Sequence, residues 1–117
     1  MCSSDLSSTR MPLSDLTVRL DKDRAVVALR GEHEAYTAHK LARQLEALLD
    51  EGVPVGVDLR EATFLDSTVV GVLLGAKRHA DERDLEFVLL LGEQTGWPVR
   101  RLLEVTGLDG TFTIVRD

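Results

Sequence analysis

The chain has one cysteine, Cys2, in 117 residues, so no internal disulfide can form and packing alone must hold the fold. Basic residues are scarce beside acidic ones, 14 against 20, for a net charge of -6. That balance disfavours non-specific binding to nucleic acid or to an anionic membrane. The basic pairs Lys77-Arg78 and Arg100-Arg101 lie among acids on predicted helices and read as solvated faces. No apolar run approaches the ~20 residues of a membrane-spanning helix, and the first dozen residues lack the apolar core of a signal peptide. A cytoplasmic protein is the expectation.

Catalytic signatures are missing as well. His33, His39 and His79 have neither ligand spacing nor cysteine partners, so no metal site is expected. The segment Gly71-Val72-Leu73-Leu74-Gly75-Ala76-Lys77 is one residue too short between its glycines for a phosphate loop. It also lacks Ser or Thr after the lysine and falls inside a helix. Ser67, His79 and Asp66 make a poor triad, because Asp66 cannot orient a histidine three turns down the same helix. The chain reads as a non-enzyme without a cofactor.

What is present is one small α/β domain. Met1–Leu13 is serine-rich and without apolar period, which predicts a disordered leader over 1–13 and a domain over 14–117. Its first six residues resemble translated sequencing adapter, which makes Met11 a candidate start. Leu16, Val18 and Leu20, then Val27 and Leu29, alternate with polar residues on either side of Asp21-Lys22-Asp23-Arg24, which predicts a hairpin. Ala38, Leu41, Ala42, Leu45, Leu48 and Leu49 form a helical stripe, with Thr37 a candidate cap and Gly52 a stop. Val55, Val57 and Leu59 read as a buried strand followed by a short loop; Leu85–Leu91 reads as a strand covered on both faces. Pro98 opens a last helix, Gly107 fits the left-handed position past its end, and Phe112 and Ile114 close with a short strand. The order β-β-α-β-α-β-α-β predicts a mixed sheet of about five strands with right-handed crossover helices.

The chemistry concentrates at Asp66-Ser67-Thr68, where a helix starts. All three side chains suit an N-cap, and the sequence leaves open which of them serves. Val69, Val72, Leu73, Ala76 and Ala80 give the helix its core stripe. Ser67, Val70, Gly71, Leu74 and Arg78 recur on a second face, where a hydroxyl beside small apolar residues reads as a docking surface.

The stretch PVGVDLREATFLDSTVVGVLLGAKRHA resembles the central signature of the STAS domain, the fold of bacterial anti-sigma factor antagonists. Leu29-Arg30-Gly31-Glu32 with Thr37-Ala38 is similar to that family's Gly-Glu segment, and Val99–Leu103 through Gly107-Leu108 to its last helix and turn; the likeness runs from Leu16 to Asp117. The resemblance implies an antagonist that binds an anti-sigma factor serine kinase through Asp66, Ser67, Thr68, Val70, Gly71, Leu74, Arg78 and Glu32. Ser67 would be the phosphorylated switch, with Thr68 the alternative acceptor, and a serine phosphatase would reverse the modification. Val69 departs from the family's usual glycine. A non-switching STAS subunit of a lipid-transport or signalling assembly is the other expectation.

Overall fold

Alternation and turn chemistry build the opening hairpin. The computed structural model describes residues 14–33 and 35–116; the leader 1–13 lies outside them. Strands β1 (Ser14–Asp21) and β2 (Arg24–His33) pair antiparallel around Lys22-Asp23, with Lys22 at φ 54°. Helix α1 (Ala35–Asp50) buries Ala38, Leu41, Leu45 and Leu49 and gives way to Gly52 at φ 79°. There follow β3 (Val55–Leu65), α2 (Ser67–Glu82), β4 (Phe87–Leu91), α3 (Trp97–Val105), a 3-10 turn (Leu108–Gly110) and β5 (Thr113–Arg116). Gly107, at φ 74°, takes the left-handed position past α3 that its place in the sequence predicts.

The sheet order is β1-β2-β3-β4-β5, with every pair after the first parallel. Each helical crossover therefore steps to the next strand in the same direction. Right-handed crossovers that advance one way all place their helices on one face. The core agrees with this. Val27, Leu29, Val55, Val57, Leu59, Phe87, Leu89 and Leu91, alternate residues of three strands, pack with Leu41, Leu45, Leu49, Val69, Leu73, Val99 and Leu103 of the helices. Truncating one such leucine to alanine costs about 2–5 kcal/mol. Because the crossovers begin at β2, the helices leave β1 behind: Leu20 is 79% exposed although it alternates correctly.

Several boundaries differ from expectation. β3 does not end near Leu59 but runs to Leu65, pairing with β2 through register shifts at Ala28/Arg30 and Gly31/Glu32. The charged pair Arg60-Glu61 hides this extension, since strand alternation puts Arg60 beside Asp58 on the sheet face opposite the core. There Arg60 grips both Asp58 oxygens, Nε to Oδ1 at 2.9 Å and Nη2 to Oδ2 at 2.8 Å. Burial pushes the Asp58 carboxyl up, but its bonds to the Arg60 side chain and amide and the charges of Arg60 and Arg19 outweigh this and hold it below the usual range. Thr37 lies inside the first turn of α1 rather than at its cap, and its hydroxyl meets His33 Nδ1 at 3.2 Å.

Candidate functional site

The carboxyl ends of β2, β3 and β4 converge on the start of α2. Asp66 is the residue that caps it, in extended conformation (φ -79°, ψ 156°). Its Oδ1 accepts from the Thr68 amide at 2.7 Å and from the Ser67 hydroxyl at 3.3 Å. The Thr68 amide chiefly, helped by the Thr68 and Ser67 hydroxyls, holds this carboxyl below the usual range against the opposing effect of desolvation. The Asp66 amide in turn donates to the His33 carbonyl at 2.9 Å, which fastens the cap to the end of β2.

His33 was visible in the sequence only as a histidine without metal partners. In the fold it is 1% exposed, with Nε2 3.1 Å from the Arg30 carbonyl and Nδ1 facing the Thr37 hydroxyl. Those partners suit a ring whose proton sits on Nε2, donating to the carbonyl and accepting from the hydroxyl. His33 thus braces the platform beneath the serine. Its position at the end of an apolar strand was the available signal.

The loop from β4 to α3 is pinned to the same platform. Buried Thr95 accepts from the Gly92 amide and donates to the Leu59 carbonyl, both at 3.0 Å. The Gly96 amide donates to the Ala62 carbonyl at 2.8 Å. A Cβ on Gly96 would lie 2.6 Å from the Thr63 Cα, so only glycine permits this approach. Arg100 adds bonds from its guanidinium to the carbonyls of Thr95 and Gly92.

The predicted docking residues separate on α2. Ser67, Thr68, Gly71 and Arg78 are exposed, and Leu74 is half-buried against the core. Val70 does not belong to the outer face: it is 7% exposed and part of the core cluster, while Val72, expected in the core stripe, is only half-buried. At about 100° per residue, Val70 and Val72 flank the line of Val69, Leu73, Ala76 and Ala80 symmetrically, so helical spacing alone cannot rank them. Surroundings decide: Val72 lines a cavity of about 210 Å³ between α1 and α2. Val69 is fully buried, so the departure from the family's glycine points into the core and leaves the approach to Ser67 open. Glu32 is exposed on β2 opposite Phe64.

An exposed hydroxyl at a helix N-terminus is placed to carry an anionic group, because the first-turn amides favour negative charge there. Among the described residues no cluster of His, Cys, Asp and Glu is arranged to hold a metal ion, and no helix is long and apolar enough to cross a membrane.

A five-stranded mixed sheet in sequential order, with a helix after each of its second, third and fourth strands, has the STAS architecture. The chain belongs to the STAS domain family: the family profile described as "Mlab, STAS domain" matches residues 16–116. It is 36% identical over 96 residues to the anti-sigma-B factor antagonist of Listeria monocytogenes, covering 80% of this chain and 81% of that one. Its fold is similar to that of the anti-sigma factor antagonist SpoIIAA in its unphosphorylated form, with TM-score 0.74, 19% identity and 88% of each chain covered. The phosphorylated form of the Bacillus cell fate determinant SpoIIAA superposes with TM-score 0.70 at 18% identity, covering 88% of this chain and 91% of that one.

Proposed function

We propose that this chain is a cytoplasmic anti-sigma factor antagonist. Unphosphorylated, it binds an anti-sigma factor that is also a serine kinase and so frees a sigma factor for transcription; phosphorylation of Ser67 ends the complex, and a serine phosphatase restores it. The observation that carries this reading is Ser67 itself, exposed at the first position of α2 and bonded only to Asp66 among the described residues, beside exposed Thr68, Gly71 and Arg78. The antagonists it is similar to, including one solved with and without phosphate, support the assignment.

The physics of the switch is electrostatic. A phosphoserine adds about -1.5 to -2 charge, which the first turn of a helix tolerates. A docking partner does not tolerate it, because the charge must be desolvated inside the contact beside the Asp66 carboxylate. Every ~1.4 kcal/mol of that penalty weakens the complex tenfold. Val69 and Val70, buried below, give the serine a fixed base, so the modification alters the surface without disturbing the core.

The test uses one position. Incubation with the cognate kinase and ATP adds a single phosphate to the parent, about 80 Da by intact mass, located at Ser67 and absent from Ser67→Ala. Ser67→Ala stays folded and binds the kinase, whereas Ser67→Asp is equally folded and binds far more weakly. A phosphate on Thr68 would keep the switch and move its residue. If no phosphate is transferred and all three proteins bind alike, the serine is part of a helix start only, and the chain is a non-switching STAS subunit of a larger assembly.

A further inference from the structure

The chain has only five aromatic side chains, and they divide by position. Phe87 and Phe112 pack together in the core with ring centroids 6.1 Å apart. The other three are exposed: Tyr36 at 88%, Trp97 at 69% and Phe64 at 40%. Each lies at the carboxyl end of a parallel strand, the end that carries Ser67: Tyr36 in the first turn of α1, Phe64 next to last in β3, Trp97 at the start of α3.

Backbone connections place the three around the end of β3 and the starts of the helices. Tyr36 lies three residues past His33, whose carbonyl accepts from the amide of Asp66, two residues from Phe64. Trp97 follows Gly96, whose amide bonds Ala62 and whose Cα abuts Thr63, the neighbour of Phe64. The pinned β4–α3 loop thus holds a tryptophan beside the end of β3, and the bond from the Asp66 amide to the His33 carbonyl brings the end of β2, three residues before the tyrosine, to the start of α2. Arg101 lies 5.7 Å over the Trp97 ring, within cation–π range. Nothing in the core requires these rings to be exposed. Aromatic side chains on a rigid platform lose little conformational freedom on binding, and Trp, Tyr and Arg dominate the energetics of protein contacts.

Resting on the reading of Ser67 given above, we infer that Tyr36, Phe64 and Trp97 are the apolar anchors of the kinase-binding surface. The contact then spans the ends of β2, β3 and β4 as well as α2, and the serine lies within it rather than at its margin. At this end Arg30 is paired with Glu61, Arg60 with Asp58, and Arg100 with the Gly92 and Thr95 carbonyls, alongside the exposed or half-buried carboxylates Glu32, Asp66 and Glu93 and the Arg101 that stacks on Trp97. The complementary patch on the kinase is therefore apolar at its centre and rimmed with Lys or Arg. A phosphate on Ser67 then falls inside the contact, where binding would have to strip its water.

Isothermal titration of the purified kinase, without ATP, into the parent and its variants decides the matter. Trp97→Ala and Tyr36→Ala each weaken binding at least about tenfold, Phe64→Ala less, and Trp97→Phe retains most of the affinity. Leu20→Ala and Val105→Ala, at comparably exposed apolar positions on the opposite end of the sheet and of α3, bind like the parent. Circular dichroism confirms that each variant is folded. Fluorotryptophan incorporated into this chain gives a single fluorine resonance, since Trp97 is its one tryptophan, and that resonance shifts on adding unlabelled kinase. If the parent binds and the three alanine variants bind equally well, with an unmoved resonance, the anchor assignment is wrong and the Ser67 switch survives. If the parent neither binds nor is phosphorylated, the switch falls first and the anchors with it.

Discussion

Replacing Gly96 by alanine tests whether the platform depends on the close approach of two backbones. Its conformation, φ -61° and ψ 146°, is open to any residue, so the whole effect comes from the added methyl. That methyl would lie 2.6 Å from both the Cα and the carbonyl oxygen of Thr63, and reaching an ordinary contact near 3.4 Å requires a shift of about 0.8 Å. The obstacle is backbone, so no rotamer change relieves it. A shift of that size stretches the Gly96 amide bond to Ala62 from 2.8 Å to about 3.6 Å, beyond hydrogen-bonding range. Overpacking at about 1–3 kcal/mol and a lost bond at about 0.5–1.5 kcal/mol sum to roughly 2–4 kcal/mol. For a domain of this size the melting temperature falls by more than about 8 °C. Gly71→Ala is the control: it sits in an exposed turn of α2, its Cβ meets nothing within 4 Å, and it gains about 0.5–1 kcal/mol by helix propensity. Thermal and urea unfolding followed by circular dichroism read both. A Gly96→Ala protein that melts within about 2 °C of the parent would refute the claim that this contact sets the loop.

Arg60→Met leaves the Asp58 carboxylate, 8% exposed, without its guanidinium, and urea unfolding at pH 7 should show a loss of about 1–3 kcal/mol. Because the folded carboxyl of the parent titrates below its unfolded value, its contribution is present above about pH 4 and is lost as pH falls through the folded pKa, so the gap between parent and variant narrows in acid. Val70→Asp buries a charge in the core and should unfold the domain by circular dichroism, whereas Arg78→Glu on the outer line of α2 should change stability by less than about 0.5 kcal/mol. Thr95→Val strands the Gly92 amide and the Leu59 carbonyl and should cost about 1–3 kcal/mol in the same assay.

The architecture was legible because its signals are local. Period-two alternation at Val55, Val57 and Leu59, the leucine stripe of α1, and the stop positions of Gly52 and Gly107 each report a backbone state directly. The site was legible only to first order. Ser67 and Thr68 are exposed as read, but the ranking of Val70 against Val72 depends on where α1 lies, which no window of α2 contains. The length of β3 was concealed by Arg60-Glu61, because a charged residue on the sheet's far face looks like a loop until its partner Asp58 is placed beside it. His33 and Gly96 act through the carbonyls of Arg30 and Ala62, and backbone atoms leave no trace in residue type.

Asp66 and Ser67 are adjacent residues with different structural duties. The carboxylate caps α2 through the Thr68 amide, so a change there should be felt as a loss of folded protein. The hydroxyl next to it stands outside the packing, and a lineage can rewrite it without lowering the amount of protein in the cell. Saturation mutagenesis read for abundance should therefore be steep at 66 and flat at 67. Under the switch proposed above, a single base change at Ser67 would alter signalling on a scaffold that does not register the difference.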